Sequence, residues 1–149
     1  MKFVVNEWLL DLLRPDADTG QQKLALHFIN TLVKKCDKIV VRIPSPFFSK
    51  FWRLGKQFER DADFKRRFKK LHELLFRNSV NTVIIDDAQT RRLPDEVARR
   101  TPPDDLYLIE LAYSMDKTLI TTDGRLVQAM EGVTEVRVVL LQEFMKAYA

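Results

Sequence analysis

Two parts of this 149-residue chain carry side chains whose types and spacing could do chemistry. The first is the stretch from Thr101 to Asp123, in which Asp105 and Asp123 stand eighteen residues apart. Pro102 suits a first helical turn, and Leu108, Ala112 and Met115 recur at helical spacing. The run Thr118 to Thr121 reads as a strand that ends just before Asp123. A helix leading into a strand is half of an α/β crossover, and the carboxyl ends of parallel strands line the ligand crevice of such sheets. Asp123 therefore falls at a crevice edge, and Asp105 in the first turn of the helix before it.

The second part runs from Lys50 to Arg77, with ten Lys or Arg against four acids and with Phe51, Trp52, Phe58, Phe64 and Phe68 interleaved. A cationic face beside aromatics suits a single-stranded nucleic acid, through phosphate contacts and base stacking. Lys65, Arg66, Arg67, Lys69 and Lys70 are the candidate contacts. The alternative is an amphipathic helix with its aromatics in a core and its charges solvated.

The acids have structural readings as well. Asp104 can close a capping box with Thr101, Asp105 can complement a helix dipole, and Asp123 can cap a helix over Arg125 to Met130. The pair Asp86-Asp87 ends a strand but has no partner pattern. His27 and His72 lack neighbours at metal-ligand spacing, and Cys36 is the single cysteine, which argues against zinc and excludes an internal disulfide. No Ser sits in a nucleophile elbow and no Gly-rich loop is present to cradle phosphates.

Further elements must position these residues. Strands are expected at Lys2 to Val5, Lys38 to Ile43, Thr82 to Ile85, Thr118 to Thr121 and Glu135 to Leu141. Helices are expected at Glu7 to Leu13, Gln21 to Lys35, Pro46 to Gly55, Asp63 to Phe76 and Pro94 to Arg100, with a terminal turn at Phe144 to Tyr148. Strands separated by helices predict a three-layer α/β/α sandwich around a mainly parallel five-stranded sheet. The length suits one domain over 1–149.

The run from Asp105 through Ala112 to Leu119-Ile120-Thr121-Thr122-Asp123 resembles the second half of PIN domains. These are metal-dependent nucleases, best known as toxins of bacterial and archaeal toxin–antitoxin pairs. The resemblance implies a central first strand lying beside the fourth, and acids that converge on one or two Mg²⁺ or Mn²⁺ ions for hydrolysis of RNA. On that pattern Asp105 and Asp123 hold the metal. The family's first acid, at the end of the first strand, is here Asn6, which offers a carbonyl oxygen without charge. Its second acid follows a Ser-Pro-x-x-x-x pattern, and here Ser45-Pro46 leads to Phe51. Glu7 is expected to point away from Asn6's side of the strand, and Asp11 is a further candidate to replace a lost ligand.

The expected function is thus a metal-dependent endoribonuclease of PIN type. The alternative is a catalytically impaired PIN-like module that binds RNA or a protein partner; an antitoxin-like partner and self-association into a homodimer also fit. A net charge of +4 agrees with an anionic partner. The early acid Glu7 and the lack of any long apolar run predict a soluble cytoplasmic protein without a membrane span.

Overall fold

A computed structural model describes residues 1–115 and 118–148; Asp116, Lys117 and Ala149 lie outside the described residues. Five strands, β1 (Lys2–Val5), β2 (Lys38–Arg42), β3 (Thr82–Ile85), β4 (Thr118–Thr121) and β5 (Arg137–Leu140), form one sheet in the order β3-β2-β1-β4-β5. Every pairing in it is parallel. β1 is central and pairs with β4 through Val4 opposite Leu119 and Val5 opposite Ile120. Asn6 and the residues after Thr121 thus leave the sheet side by side, at the carboxyl edge where the chain order reverses.

The pleat sorts the strand residues between two cores. Phe3, Val5, Ile39, Val41 and Ile120 face one apolar cluster, while Val4, Val40 and Leu119 face the other. The first face is covered by α1 (Thr19–Lys35), α2 (Pro46–Gln57), α3 (Ala62–Phe76) and α7 (Leu141–Tyr148). The second is covered by α4 (Asp95–Arg100), α5 (Leu106–Ser114) and α6 (Gly124–Ala129). The predicted three-layer sandwich is therefore the observed one. Among the described residues no helix is long and apolar enough to cross a membrane.

Local chemistry explains the boundaries. Asp18, Ser45 and Asp61 accept backbone N–H bonds at the starts of α1, α2 and α3, and Pro46 opens α2, where its missing N–H costs nothing. α1 ends on Cys36 in the left-handed region, at φ 56°, with its N–H returned to Leu32 and Val33. Asp37, the next residue, accepts from the N-terminal ammonium and from the Tyr148 hydroxyl, each at 2.6 Å. The two ends of the chain are thereby tied to the α1–β2 junction.

Three expected elements differ. Glu7–Leu12 is a 3-10 helix rather than an α-helix; Trp8, Leu9 and Leu10 are all buried, so it lacks the amphipathic stripe of a surface α-helix. The capping box of Thr101 and Asp104 does not form. The Thr101 hydroxyl is buried and donates back to Val97, and a 3-10 turn at Pro103–Asp105 intervenes before α5. The terminal helix starts at Leu141, taking a residue from the expected strand.

Candidate metal and nucleic-acid site

Asn6 is the first residue beyond β1, and its side chain does two jobs. Its Oδ1 accepts from the Glu7 N–H at 2.6 Å, capping the 3-10 helix, and its Nδ2 donates to Thr121 Oγ1 at 3.2 Å. Thr121 closes β4 and is fully buried; the same hydroxyl oxygen accepts from the Asp123 N–H at 3.0 Å. A single threonine therefore registers the exits of β1 and β4 against each other. Trp8 reinforces that junction, its indole donating to the Ile120 carbonyl at 2.8 Å.

Asp123 caps α6: one carboxylate oxygen, Oδ1, accepts from the N–H groups of Arg125 and Leu126 at 2.9 and 3.4 Å. Its other oxygen takes no part in the cap, so the capping role and a ligand role are compatible. Asp105 sits at the end of the 3-10 turn before α5 and caps nothing. Its carboxyl is held above its ordinary range, first by burial and then by the negative charges of Asp123, Asp104 and Glu7. Asp105 and Asp123 are thus brought within electrostatic reach of each other, and among the described residues no Lys, Arg or His pairs with either.

Glu7 is closer to this centre than strand alternation suggested. The chain leaves the strand at Asn6 and enters the 3-10 helix, so the pleat no longer governs where Glu7 points. Its charge acts on Asp105, and it also helps burial raise the Tyr107 hydroxyl above its usual range. Lys50 of α2 pairs with Glu7 at 2.8 Å, and sequence reasoning missed both members of this pair. The position of the family's second acid falls on Phe51, which is fully buried, while its neighbour Lys50 turns toward Glu7. Asp11 stands on the far side of that pair. Burial raises its carboxyl, which senses the charges of Arg14, Lys50, Asp16 and Glu7.

Among the described residues no three His, Cys, Asp or Glu side chains converge closely enough to hold a metal ion by themselves. The pair Asp105–Asp123 nevertheless suits a hard cation. Mg²⁺ is commonly held by one or two carboxylates, with water and substrate phosphate filling the remaining positions. Asn6 Oδ1 spends one lone pair on the Glu7 N–H and keeps the other, so it can add a neutral oxygen to such a set but no charge.

Two further acids near this edge, Asp87 and Glu110, are engaged in ion pairs. Arg42, at the end of β2, pairs with Asp87 at 2.8 Å and Glu110 at 3.2 Å, fastening β2 to the loop after β3 and to α5.

The five candidate nucleic-acid contacts all lie on α3 but do not form one face. Lys65, Arg66, Lys69 and Lys70 are exposed, although Arg66 is engaged by Asp63 at 2.7 Å. Arg67 turns inward and donates to the Leu13 carbonyl at 3.4 Å, so it leaves the outward cationic surface. The interleaved aromatics pack as a cluster: Phe51 and Phe64 are buried, Phe51 stacks on Phe68 with ring centres 4.5 Å apart, and only Trp52, at 41%, is exposed. The 3-10 helix links the two regions. At about 2 Å per residue its six residues span about 12 Å, from Glu7 at the carboxylates toward Leu13 beside α3.

No family model matches the chain, and no curated protein matches it either.

Proposed function

We propose that this protein is a metal-dependent ribonuclease of PIN type that hydrolyses RNA phosphodiester bonds with Mg²⁺ or Mn²⁺ held by Asp105 and Asp123. One observation carries the reading. Two carboxylates from different elements come within electrostatic reach at the carboxyl edge of adjacent parallel strands, one of them disfavoured in its charged form by burial and by the other, with no cation paired to either among the described residues. A divalent ion relieves that repulsion. When bound, the ion would polarise a phosphoryl oxygen and favour deprotonation of the attacking water.

The chain's own residues supply the rest. α6 fixes one oxygen of Asp123 and leaves the other for a ligand, and Thr121 holds the Asp123 backbone in place. Asn6 sets the junction of the first and fourth strands. Lys50, beside Glu7, provides a cation at the rim for an incoming phosphate. The exposed Lys65, Lys69 and Lys70 of α3 supply cations for the RNA backbone, and each phosphate they hold adds a salt-dependent share to binding.

A second reading is favoured by the uncharged Asn6 and the buried Phe51 where the family carries acids. It is a catalytically impaired PIN-like module that binds RNA, or a protein partner such as an antitoxin-like chain or a second copy. Incubation of single-stranded RNA with the protein and Mn²⁺ separates the two. Hydrolysis is expected, and it should fall by at least about a hundredfold in Asp105→Asn and in Asp123→Asn, because a metal supplies several kcal/mol of transition-state stabilisation. Salt-dependent RNA binding without cleavage would establish the second reading instead.

A further inference from the structure

A groove of about 500 Å³ lies on the other side of the 3-10 helix, between α1 and α3. Its lining is half apolar: Leu12 and Leu13 close one end, Leu26 and Ile29 come from α1, and Leu71 and Leu74 from α3, with Thr19, Gln22 and Asn30 among the polar remainder. Leu26 lies at the lip and is 51% exposed. Three cations, Lys23, Arg67 and Lys70, also line the groove, and its lining includes no acid. None of the three forms an ion pair among the described residues.

Arg67 is the most informative of them. It lies one turn from Lys70 and Leu71 on the groove side of α3, and among the described residues its guanidinium is held only by the long bond to the Leu13 carbonyl. Its Nε is buried without an acceptor. A buried donor left unpaired costs about 1–3 kcal/mol, so this guanidinium gains from any acceptor that allows it to re-orient. The polar contacts gather at the same end. Gln22 donates to the Asp11 and Arg14 carbonyls at 3.0 and 2.8 Å, which anchors the start of α1 against the end of the 3-10 helix. The leucines and Ile29 continue from there along both helices.

We infer that this groove is a binding site for a long-chain acyl carboxylate, its head on Arg67 and Lys23 and its tail along Leu26, Ile29, Leu71 and Leu74. The volume falls within the range of about 300–1,000 Å³ usual for small-molecule sites, which are mostly apolar with a few placed polar groups. A guanidinium matches a carboxylate bidentately, and the run of Leu26, Ile29, Leu71 and Leu74 beyond it suits an acyl chain better than the polar sugar-phosphate of a nucleic acid. An acidic amphipathic helix carries the same charge, but at about 10–12 Å across it rests on the lips of such a hollow instead of filling it. The groove shares Lys70 with the proposed RNA contacts, but its lining includes neither Asp105 nor Asp123, and the inference stands without the proposed phosphodiester chemistry.

Calorimetric titration of the full chain with dodecanoate, below its micelle-forming concentration, tests the assignment. One equivalent should bind saturably, and affinity should fall by at least about tenfold in Arg67→Met, the loss of a charge-assisted bond. Lys23→Ala and Leu26→Asp, both at exposed positions, should also weaken binding while leaving the thermal melt unchanged; they keep the test open should Arg67→Met fail to fold. Dodecanol should bind clearly more weakly than dodecanoate. The inference is overturned by absence of saturable binding, by equal affinity for the alcohol, or by variants that bind like the wild type. Capture of an acidic amphipathic peptide with no affinity for dodecanoate would likewise overturn it and assign the groove to a protein partner.

Discussion

Replacing Asp105 by Asn removes a charge that the metal-free fold holds at a disadvantage. Burial, Asp123, Asp104 and Glu7 all raise the Asp105 carboxyl above its ordinary value, while Asp105 caps no helix whose loss would offset the gain. Two like charges about 5 Å apart repel by about 0.8 kcal/mol in water and about 3 kcal/mol at an effective dielectric near 20. Asp123 is exposed, so solvent screening brings the figure toward the lower end, on the order of 1 kcal/mol. An acid whose folded pKa is raised binds more protons folded than unfolded between the two values, so wild-type stability falls as pH rises through that window. Asp105→Asn should therefore match the wild type near pH 3 and exceed it at pH 7 by about 1 kcal/mol, or about 2–4 °C in melting temperature for a chain of this size. Thermal melts of both proteins from pH 3 to pH 7 in the presence of a chelator read this directly. A variant no more stable at neutral pH, or one whose advantage is independent of pH, would refute the argument that the two carboxylates repel.

Three further changes probe the supports. Thr121→Val leaves the Asp123 N–H and the Asn6 amide without their shared buried acceptor, and denaturant titration should show a loss of about 1–3 kcal/mol. Gly55→Ala adds helix propensity worth about 1 kcal/mol, but its Cβ would come within 2.7 Å of the Phe68 ring, which is stacked on Phe51. Overpacking of this kind costs about 1–3 kcal/mol, so the melting temperature should fall despite the better helix former. Tyr148→Phe removes a bond to Asp37, whose carboxyl burial would raise but which the N-terminal ammonium and Tyr148 together hold below its usual range. A lowered carboxylate contributes stability above its unfolded pKa that is lost as pH falls through the folded one; the variant should be about 1.5 kcal/mol less stable at pH 7, with the deficit shrinking in acid.

The strands were legible because each is a short β-branched or aromatic run bounded by turn chemistry, and the parallel crossover followed from the helices between them. β1 beside β4 needed more than periodicity; it came from the PIN-like run ending at Asp123. The same run singled out Asp105 and Asp123, whose charges act on each other in the fold. What escaped was set by tertiary packing. Thr101 reads as an N-cap by type, yet burial turns its hydroxyl back to Val97. Glu7 reads as facing away only if the strand continues, and the 3-10 helix begins there instead. Arg67 belongs to a basic run on paper, but its place on the helix circumference puts it beside Leu71 and Leu74, facing the groove. Lys50 carried no signal, because its partner Glu7 is forty-three residues away in the chain.

The central claim is that Asp105 and Asp123 share a divalent cation, and diffraction from crystals grown with millimolar Mn²⁺, recorded for manganese anomalous scattering, tests it most directly. The account predicts one anomalous peak in contact with both carboxylates in the wild type and none there in Asp105→Asn. The absence of a peak between them in the wild type, or a manganese ion held by other acids, would contradict it.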